Sequence, residues 1–351
     1  MPPLVTSLEN KSQELDYLCV DDFMKTLVDA RALASAFELG LIDYLSQNPR
    51  VHVDDLRKAV RSDERGFRFL LDLLIANRVI GESNGDIQFT RSFLRALKFR
   101  DLLEARLEFA NFVAPDMIDH FTALIRSPQQ FGQGSRTFEL FCYGRSLEYS
   151  PENFELTKRW VRITTALTKY EAQVCLKHHD FSRYERVLDI GGNSGEFVLR
   201  ICRKHPGIHA TVFDLPVVCD VGLEHIRPEP EANRISFLRG NFLADELPGD
   251  FDLVSFKSML HDWPEKEATK FIAKGAQALN PGGTLLIFER GPIDVDKKTL
   301  PYSAIPMLLF FHSFRGPSFY EEQLRTLRFE NIKVQRIDLE MPFYLVTGVK
   351  P

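Results

Sequence analysis

The pattern of apolar positions changes character at residue 185. From there on, short continuous apolar runs alternate with stretches of helical spacing. Such runs between helices are typical of buried parallel strands. We predict strands at residues 187–190, 210–214, 235–239, 253–257, 285–289, 333–337 and 344–349. Seven strands joined by crossover helices predict an α/β fold with a doubly wound, mostly parallel sheet.

The N-terminal part shows helical spacing instead. A helix is predicted to begin after the capping pair Asp21 and Asp22 and to run through residue 47. The pattern then predicts two helices followed by two short strands, at residues 53–60, 64–76, 79–81 and 87–90. Asn84 and Gly85 between the two strands are a hairpin signal. This order predicts a mainly α-helical, winged helix-turn-helix domain.

A winged helix raises the question of DNA binding, which the charge pattern argues against. Between Arg50 and Arg100 there are 11 Lys and Arg residues against 7 Asp and Glu, and the helix at 64–76 is mostly apolar. Such a helix is more often buried than laid in a groove. The whole chain carries a formal net charge of -5. We therefore expect neither a nucleic-acid nor a membrane partner.

Cysteine usage and hydropathy indicate where the protein works. The 5 cysteines are scattered without CxxC spacing, so a disulfide framework or a thiolate metal site is not expected. No stretch reaches the roughly 18 apolar residues of a spanning helix, and the first residues lack the features of a signal peptide. A cytoplasmic protein is expected.

A glycine-rich turn follows the first predicted strand of the sheet. Asp189 lies on that strand, and Gly191, Gly192 and Gly195 occupy the turn into the next helix. Glycines there allow positive φ and close approach of a ligand. The second strand then ends in Asp214. A strand, a glycine turn, a helix and a second strand that ends in an acid predict a nucleoside-binding βαβ unit.

The nucleoside is not expected to be a dinucleotide. The dinucleotide pattern counted from Gly191 needs glycines at two positions that hold Asn193 and Glu196. The carboxylates of Asp189 and Glu196 also disfavour a pyrophosphate at this helix N-terminus. A cationic, phosphate-free cofactor fits better. S-adenosylmethionine has a sulfonium and an ammonium that carboxylates attract, and a ribose diol whose hydroxyls Asp214 can accept from.

Four segments carry a resemblance to a known family. Residues 189–195, 213–216, 260–263 and 279–283 read DIGGNSG, FDLP, LHDW and LNPGG. Together they resemble the S-adenosylmethionine-dependent O-methyltransferases of the caffeate and acetylserotonin type. The resemblance implies a homodimer with a winged-helix dimerisation domain at 1–105, a helical acceptor-pocket region at 106–180 and a cofactor-binding catalytic domain at 181–351.

The resemblance also implies which residues bind the cofactor and its product, S-adenosylhomocysteine. They lie at or just after the carboxyl ends of predicted strands, where ligands of such sheets bind. We expect Asp189, Gly191, Gly192, Gly195, Asp214, Leu215, Asn241, Phe242, Lys257 and Ser258. Asn241 stands where the family usually has Asp, and its amide can still accept from the adenine amino group. Phe242 is expected either to stack on the adenine or to belong to the core.

The catalytic pair implied by the resemblance is His261 and Glu289. A histidine with a pKa near 6.5 suits removal of a proton from the acceptor near neutrality. Glu289 matches the family carboxylate that orients this base; the alternative for it is an ion pair with the adjacent Arg290. A second family carboxylate is replaced here by Ser318, which leaves a different reaction open.

The acceptor is expected to be a small molecule, an aromatic or polyketide-like secondary metabolite with a hydroxyl group. Side chains expected around it include Phe112, Phe141, Trp160, Thr164, Met259, Asp262, Trp263, Phe310, Phe311 and His312. The alternative role for each of these aromatic residues is packing in the hydrophobic core.

Two other functions stay open on the sequence. His261 and His312, with Asp262, could hold a divalent metal for C-methylation of a 2-oxo acid. Alternatively, the protein could be a regulator that binds the cofactor or DNA without catalysis. Loss of turnover in His261→Ala would separate the enzymes from the regulator.

Overall fold

A computed structural model describes residues 13–295 and 300–351 of the chain. The chain divides into two compact units. The first holds the described part of Met1–Phe121 and Lys298–Met307, and the second that of Thr122–Lys297 and Leu308–Pro351. The three-part division at residues 105 and 180 stays a prediction.

The first unit is mainly helical and carries a small antiparallel sheet. Its helices are α1 (Leu27–Glu38), α2 (Leu41–Gln47), α3 (Val53–Val60), α4 (Glu64–Ala76), α5 (Arg91–Ala96) and most of α6 (Arg100–Arg126). The strands β1 (Val51–His52), β2 (Ile80–Ser83) and β3 (Asp86–Phe89) pair in the order β1-β3-β2. The predicted helical region is present, and its assignment as a winged helix stays a prediction.

The start of the first α-helix differs from the prediction. Residues Gln13–Phe23 form a 3-10 helix that runs through the predicted cap. Helix α1 begins at Leu27, because Thr26 and Asp29 form a reciprocal capping box. The helix does not run through residue 47 either, since Gly40, at φ +74°, separates α1 from α2. The predicted start is wrong because the reciprocal Thr26–Asp29 hydrogen bonds, rather than Asp21 and Asp22, cap the helix.

The predicted hairpin is confirmed. Asn84 and Gly85 have φ values of +53° and +80°, which is the backbone that a two-residue turn between twisted strands requires. Helix α4 buries Phe67, Leu71 and Leu74. Arg68, on the exposed side of this helix, forms ion pairs with Asp72 and Glu82. Its guanidinium is therefore engaged by carboxylates rather than available to a nucleic-acid phosphate.

The second unit is built on a seven-stranded sheet within the described residues. Its strands are β4 (Arg186–Ile190), β5 (His209–Asp214), β6 (Ile235–Arg239), β7 (Phe251–Lys257), β8 (Leu279–Arg290), β9 (Glu330–Asp338) and β10 (Pro342–Val349). They pair in the order β6-β5-β4-β7-β8-β10-β9, with only β10 antiparallel to its neighbours. The predicted doubly wound, mostly parallel sheet is confirmed.

The second unit also contains helices. They are α7 (Pro128–Gly134), α8 (Arg136–Leu140), α9 (Pro151–His178), α10 (Glu196–Lys204), α11 (Pro216–Ile226), α12 (Glu265–Gln277) and α14 (Pro317–Thr326), while α13 (Ile305–Leu309) spans the boundary between the units. Helices α10 and α11 pack on α9, and α12 contacts α14. Leu188, Ile190 and Phe256, which alternate along their strands, are buried in one cluster with Phe271 of α12 and Leu324 of α14. No helix in the described ranges is both long and apolar enough to cross a membrane.

Candidate active site

Parallel register brings the predicted polar residues to one edge of the sheet. Ile190 is paired with Phe213 of β5 and with Phe256 of β7, so Asp189, Asp214 and Lys257 fall within a residue of the same level. Strand β8 continues that edge, since Phe288 pairs with Lys257 and Glu289 follows. The strand-end placement expected from the sequence is therefore observed.

The glycine turn after β4 is close-packed as well as bent. Gly191 has φ +65°, and a Cβ built on it would lie 2.5 Å from Met259 Cγ. A Cβ on Gly192 would lie 2.6 Å from Asp189 Oδ2. A side chain at either position would fill space beside the carboxylate or displace the methionine. These two glycines thus keep the turn open next to Asp189.

Asp189 is a buried carboxylate with one oxygen left over. Its Oδ1 accepts a hydrogen bond from Ser255 Oγ at 2.6 Å, while Oδ2 has no hydrogen-bond partner among the described residues. Burial raises the pKa of Asp189 to about 7. An unpaired buried carboxylate oxygen is costly unless a donor or a cation meets it. The site therefore fits the cationic cofactor expected from the sequence.

Asp214 is held in a fixed orientation by backbone donors. Its Oδ2 accepts from the Asn193 N–H at 2.8 Å and its Oδ1 from the Leu215 N–H at 2.7 Å. Burial nevertheless raises the pKa of Asp214 to about 6. Each carboxylate oxygen has a second lone pair. Asp214 can therefore still accept from a pair of ligand hydroxyls.

Asn241 and Phe242, in the loop after β6, differ in their surroundings. Asn241 Oδ1 accepts from the Leu243 N–H at 3.0 Å, so an additional donor would share that oxygen. Phe242 is 9% exposed and packs edge-on against Phe271, with ring centroids 4.7 Å apart. These contacts support the core alternative for Phe242; adenine stacking stays a prediction.

His261 and Glu289 meet directly. His261 Nδ1 lies 2.7 Å from Glu289 Oε2, although 28 residues separate them. Glu289 is fully buried, and its Oε1 accepts from the backbone N–H groups of Met259 and Leu260 at 2.7 and 2.6 Å. Glu289 thus bonds to His261 and to the backbone, and the alternative ion pair with Arg290 is not observed. A carboxylate bound in this way fixes the turn that carries the histidine.

The carboxylates determine the protonation of His261. Burial alone would lower the pKa of His261, but the nearby carboxylates of Glu289 and Asp262 outweigh it, so that this pKa is raised. For Glu289, burial opposes ionisation, but His261 and the backbone donors prevail and lower its pKa. Because Glu289 accepts at Nδ1, the neutral imidazole keeps its proton there and leaves Nε2 as the basic nitrogen.

A second carboxylate lies on the other side of the imidazole. Asp262 Oδ1 is 3.5 Å from His261 Nε2, and Asp262 Oδ2 accepts from Tyr143 Oη at 2.8 Å. Burial raises the pKa of Asp262 despite the facing imidazole and this hydrogen bond. The sequence did not point to Tyr143, because 119 residues separate it from Asp262.

Aromatic side chains of the second unit cluster near Tyr143. Trp160 contacts Tyr143 and Phe141, with ring centroids 5.6 and 6.0 Å apart, and Phe310 contacts Phe141 at 6.3 Å. Trp160 is 4% exposed, and its Nε1 has no hydrogen-bond partner in the described part of the chain. Thr164 bonds back to its own helix. The cluster brings together three of the aromatics predicted for the acceptor pocket.

Other predicted acceptor residues are placed differently. Met259 is buried against the glycine turn, and Phe311 and His312 are exposed neighbours with ring centroids 5.5 Å apart. Trp263 packs on Phe271. Phe112 is a half-buried residue of the first unit. Contact of these residues with an acceptor stays a prediction.

Lys257 takes part in a buried charge network that the sequence did not predict. Its ammonium bonds to Glu171 of α9 and, at 2.9 Å, to Thr168 Oγ1. Arg290 bonds to the same Glu171 and donates to Ser258 Oγ at 2.8 Å. The Lys257 side chain thus already has an anionic partner inside the protein, and its predicted cofactor contact remains untested.

The metal site of the alternative hypothesis does not fit. Over residues 13–295 and 300–351, no group of three or more His, Cys, Asp or Glu side chains is arranged to hold a metal ion. His261 instead bonds to Glu289, and His312 is exposed. The C-methylation mechanism through His261, His312 and Asp262 therefore lacks its ligand set.

Comparisons with known proteins bear on this site. Residues 124–324 match a family model described as an O-methyltransferase domain. N,N-dimethyltransferase OxyT of Streptomyces rimosus is 27% identical over 332 residues, which cover 92% of this chain and 93% of that protein. The 3-hydroxy-5-methyl-1-naphthoate 3-O-methyltransferase of Streptomyces sahachiroi is 38% identical over 122 residues, 33% of this chain and 35% of that protein.

A solved structure has the same fold. Human N-acetylserotonin methyltransferase in complex with SAM superposes with a TM-score of 0.73 at 19% identity, covering 98% of this chain and 99% of that one. The family resemblance of the four short segments is thus confirmed. Because the family model spans more than half of the 351 residues, this chain belongs to the O-methyltransferase domain family.

Proposed function

We propose that this protein methylates a hydroxyl group of a small aromatic secondary metabolite, with His261 as the general base and Glu289 as the residue that orients it. The chain is an S-adenosylmethionine-dependent methyltransferase. The observation that carries the finer proposal is the 2.7 Å contact between His261 Nδ1 and the fully buried Glu289.

The proposed chemistry moves one proton and one methyl group. S-adenosylmethionine, when bound, supplies a methyl group on a positively charged sulfur. His261 Nε2 takes the proton from the acceptor hydroxyl, so that the oxygen can attack the methyl carbon in line with sulfur. The oxygen–carbon bond forms, the carbon–sulfur bond breaks, and Glu289 stabilises the imidazolium. S-adenosylhomocysteine and the methylated acceptor are the products.

The cofactor would be held by the edge of the sheet. Asp189 supplies an unpaired carboxylate oxygen for a cationic group, and Asp214 supplies acceptors for the ribose hydroxyls. The open turn at Gly191 and Gly192 leaves room for close approach. Asn241, at the end of the neighbouring strand, is the proposed contact of the adenine.

A second candidate is methylation of an amine nitrogen. It is favoured by the relative that spans 92% of this chain and is named an N,N-dimethyltransferase. A neutral amine has a lone pair and can attack before it loses a proton. An amine acceptor would therefore depend less on His261 than a hydroxyl acceptor.

The deciding experiment measures S-adenosylhomocysteine formation by wild type, His261→Ala and the control His209→Ala. His209 is exposed at the opposite end of β5 from Asp214. The probes are 3-hydroxy-5-methyl-1-naphthoate, N-acetylserotonin and a primary aromatic amine. The proposal expects hydroxyl methylation that falls at least about 100-fold in His261→Ala only, with calorimetric cofactor binding retained. Methylation confined to the amine, or unchanged turnover in His261→Ala, would contradict it.

We further propose a homodimer. The support is an exposed apolar stripe on α6, beyond the predicted dimerisation domain at 1–105, where Ile118, Phe121 and Ile125 are 72%, 43% and 59% exposed. Residues three and seven apart share one face of a helix. Such a stripe is unusual on a monomer surface.

A further inference from the structure

One contact near His261 lies outside the proposed chemistry. Tyr143, in a short 3-10 turn after α8, donates its hydroxyl hydrogen to Asp262 Oδ2 at 2.8 Å. The other oxygen of the same carboxylate, Asp262 Oδ1, lies 3.5 Å from His261 Nε2. Tyr143 is half-buried, and the side chain of Asp262 is 20% exposed. A tyrosine thus determines which way this carboxylate faces.

The position of Asp262 matters because of where the proton goes. Glu289 occupies Nδ1, so the proton that His261 gains during turnover resides on Nε2. Asp262 is the carboxylate that faces this nitrogen, and the positive charge of Arg290 opposes protonation from further away. A carboxylate close to Nε2 stabilises the imidazolium only while it remains ionised and correctly turned.

Tyr143 supplies both conditions. A buried carboxylate without a donor tends to take up a proton or to rotate away, since burial disfavours its charge. The tyrosine hydroxyl hydrogen-bonds the ionised form and fixes the carboxylate plane. Phenylalanine would keep the ring contact with Trp160 and remove only this bond.

We propose that Tyr143 is a positioning residue of the methyltransferase, which acts through Asp262 to keep a carboxylate oxygen beside His261 Nε2. This inference rests on the proposed role of His261 as the base. It adds a fourth member to the series of contacts, which then runs from Tyr143 through a hydrogen bond to Asp262, a 3.5 Å charge contact to His261 and a hydrogen bond to Glu289.

The first test is a histidine titration in the protein without acceptor. Protein with ¹³C-labelled histidines is followed by NMR in wild type, Tyr143→Phe and the control Tyr149→Phe, and His261→Ala assigns the signal. Tyr149 is 66% exposed and lies in the same segment. Loss of the Tyr143 hydroxyl should lower the pKa of His261, because Asp262 then ionises less readily; Tyr149→Phe should leave it unchanged.

The second test compares kinetics of the same variants with 3-hydroxy-5-methyl-1-naphthoate. We expect kcat to fall about tenfold in Tyr143→Phe, with the KM for S-adenosylmethionine unchanged. The acid limb of the pH profile should move to lower pH. In the background of Asp262→Asn, the change Tyr143→Phe should alter kcat less than about twofold, since the partner is already gone.

The outcomes separate this inference from the proposed function. Equal His261 pKa values in Tyr143→Phe and Tyr149→Phe, or effects that add fully to those of Asp262→Asn, would overturn it. If Tyr143→Phe shifts the pKa but wild type methylates no hydroxyl acceptor, the positioning role stands and the proposed reaction fails. If Tyr143→Phe does not fold, the His261 pKa in Asp262→Asn decides, because an unchanged value there also overturns the inference.

Discussion

At the scale of single residues, Glu289 shows how a buried charge can be made useful. Both of its oxygens accept hydrogen bonds, two from the backbone of Met259 and Leu260 and one from the imidazole. Its folded pKa is lowered, so its contribution to stability is present above the unfolded pKa and is lost as the pH falls through the folded value. For His261, whose folded pKa is raised, the contribution is lost as the pH rises through that value.

We expect Glu289→Gln to lower kcat by roughly 100-fold or more, since the amide removes the charge that supports the imidazolium. The acid limb of kcat/KM should move to lower pH, because Glu289 is one of the groups that raise the pKa of His261. Steady-state rates between about pH 5 and 9 measure both effects. An unchanged profile would remove Glu289 from the mechanism.

The pKa of Asp189 is shifted in the opposite direction from that of Glu289. Its folded pKa lies above the unfolded value, so ionisation costs stability as the pH rises toward about 7. We expect the melting temperature of Asp189→Asn to depend less on pH in that range, and its affinity for S-adenosylmethionine to fall at least about tenfold. Thermal melts and calorimetry test this against Asp250→Asn, whose side chain is 78% exposed. A steeper pH dependence in Asp189→Asn would contradict the assignment.

At the scale of elements, buried ion pairs connect helix α9 to the ends of strands β7 and β8. Glu171 on that helix receives Lys257 from β7 and Arg290 from β8, and all three side chains are at most 8% exposed. Removing one partner of a buried ion pair leaves the others uncompensated. The helix and the two strands that carry the catalytic turns are therefore linked through the Glu171 carboxylate, and Arg290 also lies 3.8 Å from Glu340 Oε1.

Glu171→Ala should lower the free energy of unfolding by about 3–5 kcal/mol. On the same helix, Glu155 is exposed, and Glu155→Ala should change it by less than about 0.5 kcal/mol. Urea denaturation followed by circular dichroism measures both. A Glu171→Ala protein as stable as the control would mean that the network contributes nothing to stability.

The secondary-structure elements also show which features could be predicted from the sequence and which could not. Most strands of the large sheet were predictable because they are short, mainly apolar runs, and Asp189 and Asp214 followed as residues at or next to strand ends. The contact of Glu171 with Lys257 was not, since 86 residues separate them and nothing in local spacing links a helix interior to a strand end. The Tyr143 contact with Asp262 escaped for the same reason.

At the scale of the whole molecule, the proposed homodimer makes the exposed stripe on α6 a test case. We expect Ile118→Glu with Ile125→Glu to give a monomer, because burying two carboxylates at an apolar interface is costly. The control His120→Glu changes the opposite face of the same helix. Light scattering after size exclusion at micromolar concentration distinguishes the species. A wild-type monomer would refute the dimer itself.

Both tryptophans of the chain, Trp160 and Trp263, belong to the second unit and lie near Asp262, the residue that follows His261. Trp160 stacks edge-on against Tyr143, and Trp263 directly follows Asp262 in the chain. Their emission therefore reports on the surroundings of the base without any attached dye. A fluorescence titration can therefore compare the affinities of unlabelled metabolites. Quenching that is lost in Trp160→Phe would place the bound metabolite beside the Trp160 indole.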